Sequence, residues 1–201
     1  MVKFLLWFKR RFGTFWKVVE TLNGVLVGFF FFRTVQSNLT KQISKFGADG
    51  PRYRFLRDDD LGALVEFFES QGTGQFDYFK PHAFDLATLR SLLRSKSFFM
   101  MGVFDAGGLV AYSYLRCFAN KKAFTGRIVD QKCQGRGIST RMGQILLMAS
   151  WESGLRVFST ISRENVRSLN SYRSISEIRV LKDLGDGYVL LEYLESARPS
   201  K

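Results

Sequence analysis

The run Val129-Asp-Gln-Lys-Cys-Gln134-Gly135-Arg136-Gly137-Ile138-Ser139 places two glycines and an arginine just ahead of a stretch with helical apolar spacing. A glycine-rich turn at a helix start leaves several backbone N–H groups unpaired and directed outward, and the helix dipole adds to their pull on an anion. That is the chemistry of a pyrophosphate cradle. Glycine at 135 and 137 lets the backbone approach phosphate with no Cβ in the way, and Arg136 adds charge at the mouth. A P-loop needs G-x-x-x-x-G-K-S/T, and a dinucleotide fingerprint needs a third glycine and an acidic residue about 20 positions on; neither pattern is present. Taken alone, the two glycines also fit an ordinary strand-to-helix turn.

Asn165, Ser168 and Tyr172 form a second group, spread over nearly two helical turns and so on one face. His82 is the only histidine and stands in the loop Phe79-Lys80-Pro81-His82. An imidazole pKa of about 6.5 suits it to take a proton, although a lone histidine in a Pro-containing loop is more often structural. Asp130 is nearer the glycines and reads equally as a turn residue at a strand end. Cys133 lies beside the cradle with no histidine placed to activate it. The aromatic loop Phe76-Asp77-Tyr78-Phe79 suits either stacking on a ring substrate or packing on itself.

The elements that must position these residues alternate along the chain. Tyr53–Leu56 reads as a strand, Asp58-Asp59-Asp60 opens a helical stretch through Glu69, and residues 71–84 form a loop before a helix over Asp85–Leu93. Phe98–Phe104, Leu109–Leu115 and Phe124–Val129 read as an antiparallel meander with short turns such as Asp105-Ala-Gly-Gly108. Ile138, Met142, Ile145, Leu146 and Ala149 mark one face of a helix over Gly137–Trp151, stopped by Gly154. A strand over Arg156–Ile161, a short helix over Asn165–Tyr172 and a hairpin of Ile178–Leu181 with Tyr188–Tyr193 close the chain.

With both motifs in place, the sequence resembles the GCN5-related N-acetyltransferase (GNAT) family, whose acetyl-CoA motif R/Q-x-x-G-x-G/A is matched by Gln134-x-x-Gly137-x-Ser139. Ile161-x-x-x-Asn165-x-x-Ser168-x-x-x-Tyr172 resembles the family's following strand-to-helix segment. The resemblance covers residues 53–194 and departs at Ser139, at Gln131 where many members carry proline, and at Ser176-Glu177 where a Gly-Phe pair is usual. It implies a mixed α/β (α+β) fold, with a mostly antiparallel sheet that splays into a V and is flanked by helices. Acetyl-CoA would then be held by Gln134, Gly135, Arg136, Gly137, Ile138, Ser139, Asn165 and Ser168. A backbone N–H of Ile128 or Val129 would polarise the acetyl carbonyl, Tyr172 would protonate the departing thiolate, and His82 would lie on the loop lining the acceptor site. A tyrosine with a pKa of about 10 is protonated at neutral pH and able to donate. The implied reaction is acetyl transfer to an amine, such as an amino sugar or another membrane-proximal small molecule. The other functional reading is a non-catalytic acyl-CoA-binding or scaffold protein that keeps the cradle without turnover.

Charge is concentrated at the front of the chain. Of the net +12, residues 1–54 contribute +8 through ten Lys/Arg against Glu20 and Asp49. The basic residues there are interleaved with Phe4, Leu5, Phe8, Phe12, Phe15, Trp16, Val19 and Leu22 at helical steps. That pattern predicts an amphipathic helical appendage over residues 1–50, ahead of an acetyltransferase domain over 51–201. Its apolar stripe fits either packing on its own domain or in a homodimer, or attachment of residues 1–32 to an anionic membrane surface. The apolar stripe speaks against a nucleic-acid binder. The longest uncharged run, Thr21–Phe32, falls short of the roughly 20 residues a span needs. Lys9, Arg10, Arg11 and Lys17 interrupt the place of a signal-peptide core. Cys117 and Cys133 have no metal-ligand spacing, so no metal or disulfide framework is expected. The compartment read from this is the cytoplasm, with a peripheral position at the inner face of the membrane as its refinement.

Overall fold

The structure is a computed structural model that describes residues 13–46, 50–72, 79 and 81–195, with side chains from Val18 onward. Phe4 to Trp16 of the predicted stripe and Phe76-Asp77-Tyr78 of the aromatic loop therefore lie outside the described side chains. Two helices, α1 (Gly13–Phe30) and α2 (Phe32–Phe46), precede β1 (Arg52–Phe55). Then follow α3 (Leu61–Ser70), α4 (Leu86–Arg94), β2 (Phe98–Asp105), β3 (Gly108–Cys117), β4 (Lys122–Val129) and α5 (Ile138–Glu152). The chain closes with β5 (Arg156–Ser162), α6 (Val166–Arg173), β6 (Ile178–Gly185) and β7 (Tyr188–Tyr193).

The seven strands form one sheet in the order β1-β2-β3-β4-β5-β7-β6, antiparallel throughout except for β4 beside β5. That parallel pair needs a crossover, and α5 supplies it. Both faces of the sheet are covered, which is why β2 reads as an almost unbroken apolar run: Phe99, Met101 and Val103 face α2 and α5, while Phe98 and Met100 face α3 and α4. On α5 the predicted stripe of Ile138, Met142, Ile145, Leu146 and Ala149 is buried in full.

Where described, the N-terminal helices pack on the body. Residues 34–46, polar in composition, form α2, and Val35 and Leu39 lie in the same core as Val103, Ala111 and Ile145. Asn38 Nδ2 donates to Ser153 Oγ at 3.0 Å and Gln42 Nε2 to Glu152 Oε1 at 3.0 Å, tying α2 to the end of α5. Val27 of α1 is also buried, and Asn23 clasps the end of β3, donating to Cys117 O and accepting from Ala119 N, each at 3.0 Å. Val27, Val35 and Leu39 thus share one hydrophobic core with the body. A buried stripe only one residue per turn wide is hard to see in a polar sequence.

Candidate active site

The site begins where β4 and β5 part. They pair only at Lys122–Arg156, Ala123–Val157 and Phe124–Phe158; beyond Phe124 the two strands diverge into the expected V. The direction of the β4 amides follows from two bonds. Asp130 N donates to Val110 O of β3 at 2.9 Å, whereas the carbonyl of Thr125 points the other way and accepts from Ser159 Oγ of β5 at 2.6 Å. Alternation along an antiparallel ladder then gives the N–H groups of Ile128 and Gly126 to β3, and turns those of Val129 and Arg127 into the gap. Both residues expected to polarise an acyl carbonyl line the cavity, and of the two Val129 turns its amide into the gap. The amide of Ile128 belongs to the ladder, and its side chain packs in the cluster that holds Leu61 and Leu64 of α3.

The gap opens into a cavity of about 760 Å³ that runs from the start of α5 to α6. Its mouth is the glycine turn. Asp130 Oδ1 accepts from Lys132 N at 2.8 Å and Oδ2 from Gln71 Nε2 at 3.1 Å, which fixes the short 3-10 turn Gln131–Cys133 and gives Asp130 a capping role. Gly135 and Gly137 both have positive φ, 79° and 74°, and a Cβ on either would point into open space. The residues are therefore glycine for backbone conformation, and the space they leave is where an anion would approach the first-turn amides.

Gln134, Gly135, Gly137, Ile138 and Ser139 line this end of the cavity. Gln134 Nε2 holds Val129 O at 3.2 Å while its Oε1 accepts from Arg167 of α6; Ser139 Oγ and Ser171 Oγ lie 3.3 Å apart. Together these bonds join the α5 and α6 sides of the mouth. Arg136 does not join them. It pairs with Asp105 of the β2–β3 hairpin at 2.8 Å and is not among the lining residues, which include two other arginines, Arg127 and Arg167.

Asn165 caps α6, its Oδ1 accepting from Ser168 N at 3.1 Å, so the asparagine first serves the helix itself. Asn165, Ser168 and Tyr172 all line the cavity, as a shared helix face requires. Tyr172 is buried; its ring lies 5.4 Å from that of Tyr193, and the Arg127 guanidinium stands 4.8 Å from its centroid.

Another part of the wall is formed by Pro81 and the rings of Phe79 and Tyr114. Burial raises the Tyr114 phenol well above its ordinary range, so it is neutral. His82 lies behind this wall and is not a lining residue. Its Nδ1 is 2.8 Å from Ala83 O, and a carbonyl only accepts, so Nδ1 carries the proton. Nε2, 2.9 Å from the hydroxyl of fully buried Tyr112, then accepts from it. Burial depresses the His82 pKa, opposed by the Ala83 bond and by Asp85. Its basic nitrogen thus serves a buried phenol.

Among the lining residues that escaped the sequence reading are Arg127, Tyr114 and Arg167. Arg127 left a signal, being the one charge inside the strand after Lys122 opens it, on the face shared by Ala123 and Val129. Tyr114 and Arg167 looked like any strand tyrosine and any helix-surface arginine.

No protein-family model matches the sequence, and no curated protein does. Solved structures match in shape. The GNAT domain of S. lividans PAT is 18% identical, with 71% of this chain and 89% of that one covered and a TM-score of 0.61. The spermidine N-acetyltransferase from Vibrio cholerae in complex with CoA and spermine is 16% identical, covering 71% and 92%, with a TM-score of 0.57. AAC(6')-Ib in complex with Parmomycin and AcetylCoA is 14% identical, covering 72% and 92%, also at 0.57. With its V-shaped strand parting and glycine turn at the head of α5, the chain has the fold of the GCN5-related N-acetyltransferases.

Proposed function

We propose that this chain is an acetyl-CoA-dependent N-acetyltransferase. The observation that carries the reading is the parting of β4 from β5, which turns the Val129 and Arg127 amides into a cavity bounded by the glycine turn at one end and Tyr172 at the other. The backbone of Gly135–Ser139 would hold the pyrophosphate, with Gln134, Asn165 and Ser168 along the arm, and acetyl-CoA would supply the activated acyl group. The space beyond the Cα atoms of Gly135 and Gly137 fits such a ligand. Val129 N–H is the donor for the acyl oxygen and Tyr172 the proton donor for sulfur. The amine gives up its proton to water. His82 acts from behind the wall by holding Tyr112.

The acceptor is a small amine that enters along Phe79, Pro81 and Tyr114, an amino sugar being one such molecule. We also place the enzyme at an anionic membrane surface on the cytoplasmic side. On α1, Phe29 is 82% exposed, Val25 62% and Phe30 61%, in a row with Leu22 and Leu26, and the basic residues from Lys3 to Lys17 precede this face in the sequence. Among the described residues no single helix is long and apolar enough to cross a membrane. Sedimentation with anionic against neutral vesicles tests the placement; loss of sedimentation in a Phe29→Ser/Phe30→Ser variant supports it, and a concentration-dependent dimer that leaves vesicles alone refutes it.

Calorimetric titration of acetyl-CoA into the full chain and a Gly137→Trp variant tests the donor site. Binding abolished by the variant supports the reading, and no binding by the folded parent overturns it. Tyr172→Phe should bind acetyl-CoA normally and lose about 10²-fold or more in turnover. Binding without turnover on a broad amine panel would favour a non-catalytic acyl-CoA-binding protein.

A further inference from the structure

Arg127 has an unusual environment. The guanidinium nitrogens Nε, Nη1 and Nη2 are all buried, and none has a hydrogen-bond partner among the described residues. No carboxylate pairs with it; its neighbours are the ring of Tyr172, the side chain of Ile175 and the backbone of Gly143 in α5. A buried unpaired cation costs several kcal/mol, and mutual attraction normally offsets that cost only when a counter-charge is present. The sequence also makes room for it, because Gly143 stands in mid-helix, where alanine is better by about 1 kcal/mol, and a Cβ there would strike the guanidinium. An ordinary core would carry Leu or Met at position 127. The cation therefore has a use outside the resting fold, and its position beneath Tyr172 on the cavity wall indicates where the negative charge arises.

We infer that Arg127 is a catalytic residue that stabilises the charge on the coenzyme sulfur as the acyl group leaves it. The inference rests on the acetyltransferase reading. As the amine nitrogen bonds to the carbonyl carbon, the carbon–sulfur bond breaks and its electron pair goes to sulfur. Arg127 stabilises that pair, the Tyr172 proton then neutralises it, the surplus proton of the amine passes to water, and the phenol recovers its own from solvent. In a dry site a fixed cation stabilises such a charge more than water does, because no solvent must reorient. Two roles then divide between neighbours: Arg127 supplies charge and Tyr172 supplies the proton.

The test uses CoA itself and needs no acceptor. The full chain is saturated with CoA, and the ultraviolet band of the thiolate is followed against pH for the parent, Arg127→Met and Arg127→Lys, with CoA affinity measured separately and melting temperature recorded. Bound to the parent, the thiol should ionise about 1–3 pH units below free CoA. Arg127→Met should return it to the free value and raise the melting temperature, since a costly buried charge is gone. Arg127→Lys should keep part of the shift. The same thiolate titration in parent and Arg127→Met, both with CoA bound, would overturn the inference, as would a fall in melting temperature with the titration unmoved, which marks a packing residue. Failure of the parent to bind CoA overturns the acetyltransferase reading first and takes this inference with it.

Discussion

Gly143 in the middle of α5 and Arg127 on β4 fit against one another, since a Cβ built on Gly143 would overlap Nη1 of Arg127 and Cδ1 of Ile175. Gly143→Ala should therefore destabilise the protein despite alanine's better helix propensity. Overpacking costs about 1–3 kcal/mol and the propensity gain is about 1 kcal/mol, so a lowered melting temperature is expected. Paired with Arg127→Met, the loss should shrink, because the shorter, uncharged side chain can move aside. A double-mutant cycle by thermal or urea denaturation measures the coupling.

Gly137→Ala separates conformation from space. The residue has a φ of 74°, and an alanine there pays about 1–2 kcal/mol for the left-handed backbone. Its Cβ meets nothing in the protein, so any loss of acetyl-CoA affinity beyond the loss of stability reports a ligand in the space ahead of α5. The expected result is a modest fall in melting temperature with a larger fall in affinity, read by urea denaturation and calorimetry on the same samples.

His82 should make stability depend on pH. Its folded pKa lies below the unfolded value of about 6.5, so the unfolded chain binds more protons through this interval. The contribution is complete above about pH 6.5 and is lost as pH falls through that value toward the folded pKa. Urea denaturation between about pH 7.5 and 5 should show stability declining on the acid side, and His82→Gln should flatten the slope. The variant should also be less stable at pH 7.5, by about 1–3 kcal/mol, if glutamine leaves the buried Tyr112 hydroxyl without its acceptor.

The charge of the cavity wall bears on acceptors. The described lining holds Arg127 and Arg167 and no Asp or Glu. Polycations meet two like charges on this described lining, so spermidine and aminoglycosides should be acetylated far more slowly than amines of the same size with no further positive charge. Initial rates across such a panel, at two salt concentrations, check this; a polyamine among the best substrates would refute it.

The order of elements and the two ends of the cavity were legible in the sequence because each rests on local rules. Apolar runs bounded by turn residues mark β2, β3 and β4, the glycines at 135 and 137 mark the turn their positive φ requires, and the seven-residue spacing puts Tyr172 of α6 on the same side as its cap Asn165. Pairing across the chain decided the rest. Which amides of β4 are left over depends on where β5 leaves it, and that selects Val129 and Arg127 over Ile128. Whether an arginine faces a ligand depends on distant partners: Asp105 takes Arg136, while Gln134 keeps Arg167 at the wall. Tyr112 claims His82 from thirty residues away, and α2 becomes core only because α5 offers it a face. Local propensity acts over a turn or two of chain, whereas burial and charge pairing act through space, so no spacing rule in the sequence records them.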